Sequence, residues 1–204
     1  DVIARIRELG DEVAVVVFSA VNYLTGEWMD MPAITAAGHE VGAIVGWDLA
    51  HAMGNVPLQL HDWGVDFAVW CSYKYLNSSP GGVAGIYVHE RHHGPEVFRL
   101  AGWWGHDKAT RFSMPSEFVP ERSAEAWQWS NAPVLAMAAH RAALDVFDRA
   151  DLKAYREKSV AMTEVLLGLL DRVAEQTGQK IRVLTPRDPQ HRGCQISVQF
   201  EGRG

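Results

Sequence analysis

With 204 residues, the chain is long enough for one domain, or one domain and part of a second. Hydrophobic residues at 48% and charged residues at 22% give the balance of an ordinary globular protein and argue against disorder. A net charge of -6 supplies no basic footprint for DNA or RNA, no apolar run reaches membrane-spanning length and no signal peptide opens the chain, so neither a nucleic-acid nor a membrane partner is expected.

The opening Asp1-Val2-Ile3-Ala4-Arg5-Ile6 reads as part of an amphipathic helix with no initiator Met before it. At the other end, Gly202-Arg203-Gly204 follows a strand-like run directly. Both ends suggest a piece of a longer protein. Val13 to Phe18 is an unbroken β-branched and aromatic run, the pattern of a strand buried on both faces. Asp30 caps a helix with Pro32 in its first turn, running to about Gly38. Three further apolar runs follow: Ala43–Trp47, Asp66–Ser72 and Gly82–Val88. Apolar strands separated by helical or loop segments predict an α/β layer with a mostly parallel sheet. Cys71 ends the apolar run from Phe67 and reads as a buried thiol in a reducing compartment.

From His89 to Ser130 there is little periodicity. This stretch is rich in Trp, Gly and Pro and contains Gly102-Trp103-Trp104-Gly105-His106; ordered loops of such length are usually functional. Two helices are predicted next, Pro133–Ala150 and Leu152–Gln176, with Gly178 as the stop. Leu166, Leu167, Leu169, Leu170 and Val173 are the expected core face of the second. Ile181–Leu184 and Gln195–Phe200 read as strands of a smaller unit. The expected division is residues 1–132 as part of a large domain, 133–177 as connecting helices and 178–204 as the start of a small α+β domain. No internal repeat is present.

Ligands of open α/β sheets bind beyond the carboxyl ends of the strands. Asp48 follows the second run directly, and Ser72-Tyr73-Lys74 follows the third. Ends of neighbouring strands lie about 5–10 Å apart, so a carboxylate and an amine could face one flat ligand. Pyridoxal-5'-phosphate (PLP) chemistry needs that pair: an amine for the cofactor aldehyde, and a carboxylate that keeps the ring nitrogen protonated. Taken alone the pair is weak, because an Asp at a strand end is commonly a turn residue and a Lys there a solvated charge. A competing motif, His89-Glu90-Arg91-His92-His93, fits H-E-x-x-H, but zinc binding by that motif needs a helix, and Gly94-Pro95 breaks one; no metal is expected.

Longer strings change the weight of the Asp–Lys pair. They are Val21–Gly26, Trp47-Asp48-Leu49-Ala50-His51-Ala52-Met53-Gly54-Asn55-Val56-Pro57, His61-Asp62-Trp63, Trp70-Cys71-Ser72-Tyr73-Lys74-Tyr75-Leu76-Asn77, Pro80-Gly81-Gly82, Leu100–His106, Trp127-Gln128-Trp129-Ser130-Asn131 and Arg192-Gly193-Cys194-Gln195. Over essentially its whole length the chain resembles the kynureninases, class-V aminotransferase-like enzymes of PLP fold type I. The resemblance implies a fold-type-I large domain with a mostly parallel sheet, plus the beginning of the small domain. It implies that Lys74 bonds the cofactor aldehyde and later moves protons, assisted by Tyr73, whose hydroxyl reaches the cofactor phosphate. Asp48 would pair with the ring nitrogen and His51 would lie beside the ring. Trp103 and Asn131 would line the cofactor site from the partner subunit of a homodimer, and Ser130 with Asn131 would lie near the aromatic end of the substrate. The implied reaction is hydrolysis of L-kynurenine to anthranilate and L-alanine, with 3-hydroxykynurenine as a second substrate. Its setting would be cytoplasmic tryptophan catabolism and NAD biosynthesis.

The sequence departs from the family at several points. An upstream Leu-Thr pair and Phe-Pro-Ser-Asp-type segment are not present before Asp1, and the substrate-carboxylate Arg lies beyond the chain's end. Trp129 stands where a smaller residue is usual, and Ala132 where Pro is. The alternatives are another fold-type-I activity such as cysteine desulfuration, against which Cys194 in a strand-like segment argues, or a non-catalytic piece of the fold.

Overall fold

The computed structural model describes residues 1–94 and 96–202; Pro95 of the Gly94-Pro95 break, and Arg203 and Gly204, lie outside the described residues. Four strands form the main sheet in chain order: β1 (Val15–Ser19), β2 (Ile44–Asp48), β3 (Phe67–Cys71) and β4 (Ala84–Val88). The first three are parallel and β4 runs antiparallel to β3, so the sheet is mostly parallel as expected. Two helices flank it. In α1 (Val2–Leu9) the Asp1 carboxylate accepts from the amides of Ile3 and Ala4. In α2 (Met31–Glu40) Asp30 accepts from the Ala33 amide at 3.1 Å, and Pro32 occupies a first-turn position where no amide partner is needed.

Strand alternation puts Val16, Val45, Trp47 and Ala68 on one sheet face, where they are buried with Ile6, Met31, Ile34 and Ala37 of the two helices. Trp47 is fully buried, and its indole N–H donates to the Thr35 hydroxyl at 3.1 Å. The other face is open. Val15 and Val17 are each 53% exposed, and Ile44, Val69 and Ile86 are exposed beside them. The expectation of strands buried on both faces is therefore corrected: the side chains are those of a two-sided sheet, but among the described residues helices cover one side. Cys71 lies on the open face and is half-buried rather than buried.

At the end of the sheet away from Asp48, the buried Asp66 gathers four groups. Its carboxylate accepts from the Val45 amide (2.7 Å), bonds His39 (2.8 Å) and His92 (2.6 Å), and pairs with Arg91 (2.6 Å). One side chain thus joins α2, β2, β3 and the turn after β4. His93 bonds the Val88 carbonyl, and His89 accepts from the Arg91 amide. A three-residue 3-10 turn, Glu90–His92, separates those two histidines, so they share no helix face.

The stretch from 98 to 131 is ordered by stacked cations. Arg99 lies 4.2 Å over Trp127, and the buried Arg111 lies 4.5 Å over Trp104 while donating to the His106 carbonyl at 2.9 Å. Helices α3 (Val134–Phe147) and α4 (Leu152–Thr177) follow, with Gly178 closing α4 in the left-handed conformation that glycine adopts without penalty. The predicted core face of α4 is only partly right. Leu167 is buried and Leu170 half-buried, but Leu166, Leu169 and Val173 are exposed. Residues so closely spaced cannot share one stripe, and the buried row instead runs through Thr163 and Leu167. That row is fixed by the fully buried Arg192, which donates to the Thr163 hydroxyl (3.2 Å) and the Glu164 carboxylate (2.6 Å).

Strands β5 (Ile181–Val183) and β6 (Val198–Phe200) pair antiparallel. β6 starts three residues later than expected, which leaves Cys194 in the irregular segment before it. That segment docks on the main unit: the Trp28 amide donates to the His191 carbonyl at 2.9 Å, and Glu27 bridges to Arg192.

Candidate active site

The carboxyl ends of β1, β2 and β3 form one edge. Register pairs Ser19 with Asp48 and Asp48 with Val69, so Ser19 and Asp48 end their strands side by side. The Asp48 carboxylate accepts from the Ala50 amide at 2.8 Å and from the Ser19 hydroxyl at 3.3 Å. The chain then turns through residues 49–57 and brings His51 back across the edge. The imidazole Nε2 of His51 lies 3.0 Å from Lys74 Nζ. Burial and the neighbouring Lys74 charge hold the His51 imidazole below its ordinary range, against an opposing pull from Asp48. Neutral His51 therefore accepts the lysine's hydrogen bond at Nε2 and carries its own proton at Nδ1, which is buried without a partner among the described residues.

Lys74 sits on a closed loop after β3. Ser72 and Ser78 are fully buried and bond each other at 2.6 Å, Ser72 also reaches the Val83 carbonyl, and the Ser78 amide donates to the Ser72 carbonyl at 3.0 Å. Gly82 lies against this clasp; a Cβ there would come 2.1 Å from Ser78 Oγ. Asn77 and Ser79 take left-handed backbone conformations to complete the loop. Tyr73 points outward, 53% exposed, with its phenol pushed up by the neighbouring Cys71 thiol.

Sequence reasoning named Asp48, His51, Tyr73 and Lys74, and the fold gathers these four at one edge. It missed Ser19, whose place beside Asp48 depends on strand register. Trp103, Ser130 and Asn131 lie elsewhere. All three are exposed, and they neighbour one another through Gly102, which packs against the Trp129 backbone. Among the described residues no hydrogen bond joins them to Lys74, His51 or Asp48. A carboxylate, an amine, a neutral imidazole and an outward phenol on one edge fit a flat aldehyde-bearing heterocycle with a basic ring nitrogen.

The family description "Aminotransferase class-V" matches residues 3–203. The chain belongs to the class-V aminotransferases. Among sequences of this family it is similar to the kynureninase of Salinispora tropica, 56% identical over 202 residues that make up 97% of this chain and 47% of that protein. It is likewise 51% identical to the kynureninase of Myxococcus xanthus over 203 residues, 99% of this chain and 47% of that one. The chain thus spans about half the length of the relatives it matches. Among solved structures, the apo cysteine desulfurase of Thermococcus onnurineus NA1 superposes with a TM-score of 0.74 at 14% identity, over 98% of this chain and 48% of that one. A C-DES variant with glycine covalently linked to its PLP cofactor gives 0.73 at 20% identity, over 93% and 48%. At such identities these likenesses show the shared class-V aminotransferase fold alone.

The start of β6 at Val198 also corrects the reading of Cys194. It is not in a strand, and what separates it from an activated sulfur nucleophile is its environment. Burial pushes the half-buried thiol up, against smaller opposing contributions from Tyr75 and Arg156, whereas a nucleophilic cysteine needs its thiolate favoured.

Proposed function

We propose that the full-length protein is a PLP-dependent kynureninase, hydrolysing L-kynurenine, and 3-hydroxykynurenine in the second instance, to the anthranilate and L-alanine. The observation that carries this reading is the 3.0 Å approach of Lys74 Nζ to a neutral His51 at the same strand-end edge as Asp48, in a chain whose relatives at about half identity are kynureninases. Bound PLP supplies an aldehyde that captures amines and a protonated ring that takes up electrons.

Asp48 is aimed by the Ser19 hydroxyl and the Ala50 amide, and it would hold the proton on the ring nitrogen of the bound cofactor. Lys74 is the amine that bonds the aldehyde. With the cofactor bound, the Lys74 amine would be placed to take the proton from the substrate α-carbon, with His51 beside it as hydrogen-bond acceptor. Tyr73, outward and exposed, would donate to the cofactor phosphate. Water adds to the substrate's γ-carbonyl, and cleavage of the Cβ–Cγ bond gives one anthranilate and one alanine per water consumed. Trp103, Ser130 and Asn131 serve the site of the second subunit in a homodimer, which accounts for their exposure in one chain. Two free cysteines suit a cytoplasmic setting.

The test uses the full-length protein with PLP. Anthranilate release from kynurenine, and borohydride reduction that fixes the cofactor onto Lys74, are expected. Alanine release from cysteine without anthranilate release from kynurenine would favour desulfuration and overturn the proposal.

A further inference from the structure

Asn55 is 2% exposed, and it lies in the turn that carries His51. Its side-chain N–H donates to the His51 carbonyl at 2.8 Å, and its side-chain oxygen accepts from the Cys194 amide at 2.9 Å. Both ends of one buried amide are therefore committed, one to the turn after β2 and one to the segment entering β6. A buried amide with both ends paired holds its two partners at a fixed separation, because releasing either leaves an unsatisfied polar group.

The neighbouring contacts are made to the same tolerance. A Cβ on Gly193 would come 2.4 Å from Asn55 Nδ2, so glycine at 193 is what lets the segment seat this deeply. Gly54 has a left-handed φ of +79°, and a Cβ there would come 3.1 Å from the Tyr75 backbone, which packs the His51 turn against the lysine loop. The 191–195 segment is held from its other side as well: the Trp28 amide donates to the His191 carbonyl, and the Gln195 side chain donates to the Tyr23 carbonyl at 2.8 Å. From Cys194 the line of contacts runs through Asn55 to His51, and from His51 Nε2 across 3.0 Å to Lys74 Nζ.

We infer that Asn55 is a positioning residue that transmits the seating of the 191–195 segment to His51, and so sets the hydrogen-bond partner of the Lys74 amine. Its catalytic meaning rests on the reading of Lys74 and His51 as cofactor residues, but the linkage itself is a property of this chain. When the segment is seated, Asn55 holds the turn through the His51 carbonyl, with His51 Nε2 3.0 Å from Lys74 Nζ. When it lifts, Asn55 Oδ1 loses its donor, the turn gains freedom, and the His51–Lys74 contact loosens. A substrate whose binding stabilises the seated segment would then meet a lysine whose proton acceptor is already in place.

The experiment uses the histidine-labelled full-length protein, with and without PLP, and follows the His51 imidazole by NMR through a pH titration; its resonance is assigned by His51→Gln. Asn55→Ala removes the bridge from one side, and Gly193→Ala wedges it from the other; both are neutral, so neither adds a charge next to the imidazole. Hydrogen exchange over 191–195 reports the seating. In both variants the exchange should quicken about tenfold or more, and the His51 midpoint should rise toward its ordinary value. Faster exchange with a His51 midpoint unchanged in both variants would overturn the inference, as would unchanged exchange. If Asn55→Ala does not fold, Gly193→Ala decides alone. Failure of the kynureninase reading is seen separately, as wild-type protein that releases no anthranilate.

Discussion

At the scale of single residues, the edge formed by β1, β2 and β3 makes sharp demands. Asp48 and Lys74 carry different parts of the proposed chemistry, and their substitutions should fail differently. Lys74→Ala in the full-length protein should retain the fold by circular dichroism and release no anthranilate; steady-state activity near wild type would remove Lys74 from its role. Asp48→Asn keeps the shape and the Ala50 contact but removes the charge that holds a proton on the ring nitrogen. Each pKa unit lost there is worth about 1.4 kcal/mol, or tenfold, so a loss of several units lowers turnover by orders of magnitude. Turnover within about threefold of wild type would show that Asp48 is not the ring-nitrogen partner. These two residues were legible in the sequence because strand ends in an α/β sheet are marked by where apolar runs stop. Ser19 was not legible, since nothing in Val15–Ser19 says which residue of another strand it will face; the register with β2 decides that.

At the scale of elements, Asp66 ties four of them together. Burial alone would raise its carboxyl, but hydrogen bonds from His92, the Val45 amide, His39 and Arg91 outweigh this and hold it well below the usual carboxylate range. A carboxyl depressed in the folded state contributes stability that is fully present above its unfolded value, about 3.9, and is lost as pH falls toward the folded one. Asp66→Asn should therefore lower stability at neutral pH by about 1–3 kcal/mol, since it weakens the hydrogen bonds from the Val45 amide, Arg91 and two histidines. The variant's stability should also fall less steeply than wild type below about pH 4; denaturant midpoints across pH check both. A second comparison tests the corrected face of α4. Leu167→Ala should cost about 2–4 kcal/mol and Leu166→Ala under about 1. Equal costs would mean that Leu166 is as buried as Leu167 in the folded protein.

At the scale of the whole molecule, the open sheet face is the dominant feature. Val15, Val17, Ile44, Val69 and Ile86 present contiguous apolar surface to solvent, and α3 has no buried side chain despite its apolar sequence. Surfaces of this kind drive association when left uncovered. Residues 1–204 expressed alone should self-associate, hold PLP weakly and release little or no anthranilate, whereas a version extended to the full length of its relatives should stay dispersed and turn over kynurenine. Light scattering, PLP titration and anthranilate fluorescence on the two proteins check this. Equal behaviour would show that this half of the length of its relatives is sufficient for the activity.

The sequence by itself determined the local elements and the chemical inventory. Apolar runs with β-branched residues specified β1 to β4, Asp30 with Pro32 set the start of α2, and Gly178 set the end of α4, because these depend on backbone preferences within a few residues. Tertiary structure decided what depends on partners distant in the chain. The buried row of α4 was chosen by Arg192, some thirty positions away, over an equally apolar row nearby. Burial of only one sheet face reflects where the helices lie, which hydrophobicity alone does not record. The contact between Asn55 and Cys194 spans 139 positions, and no periodicity in either segment points to the other. A buried amide finds its partners only once the two segments have been brought together.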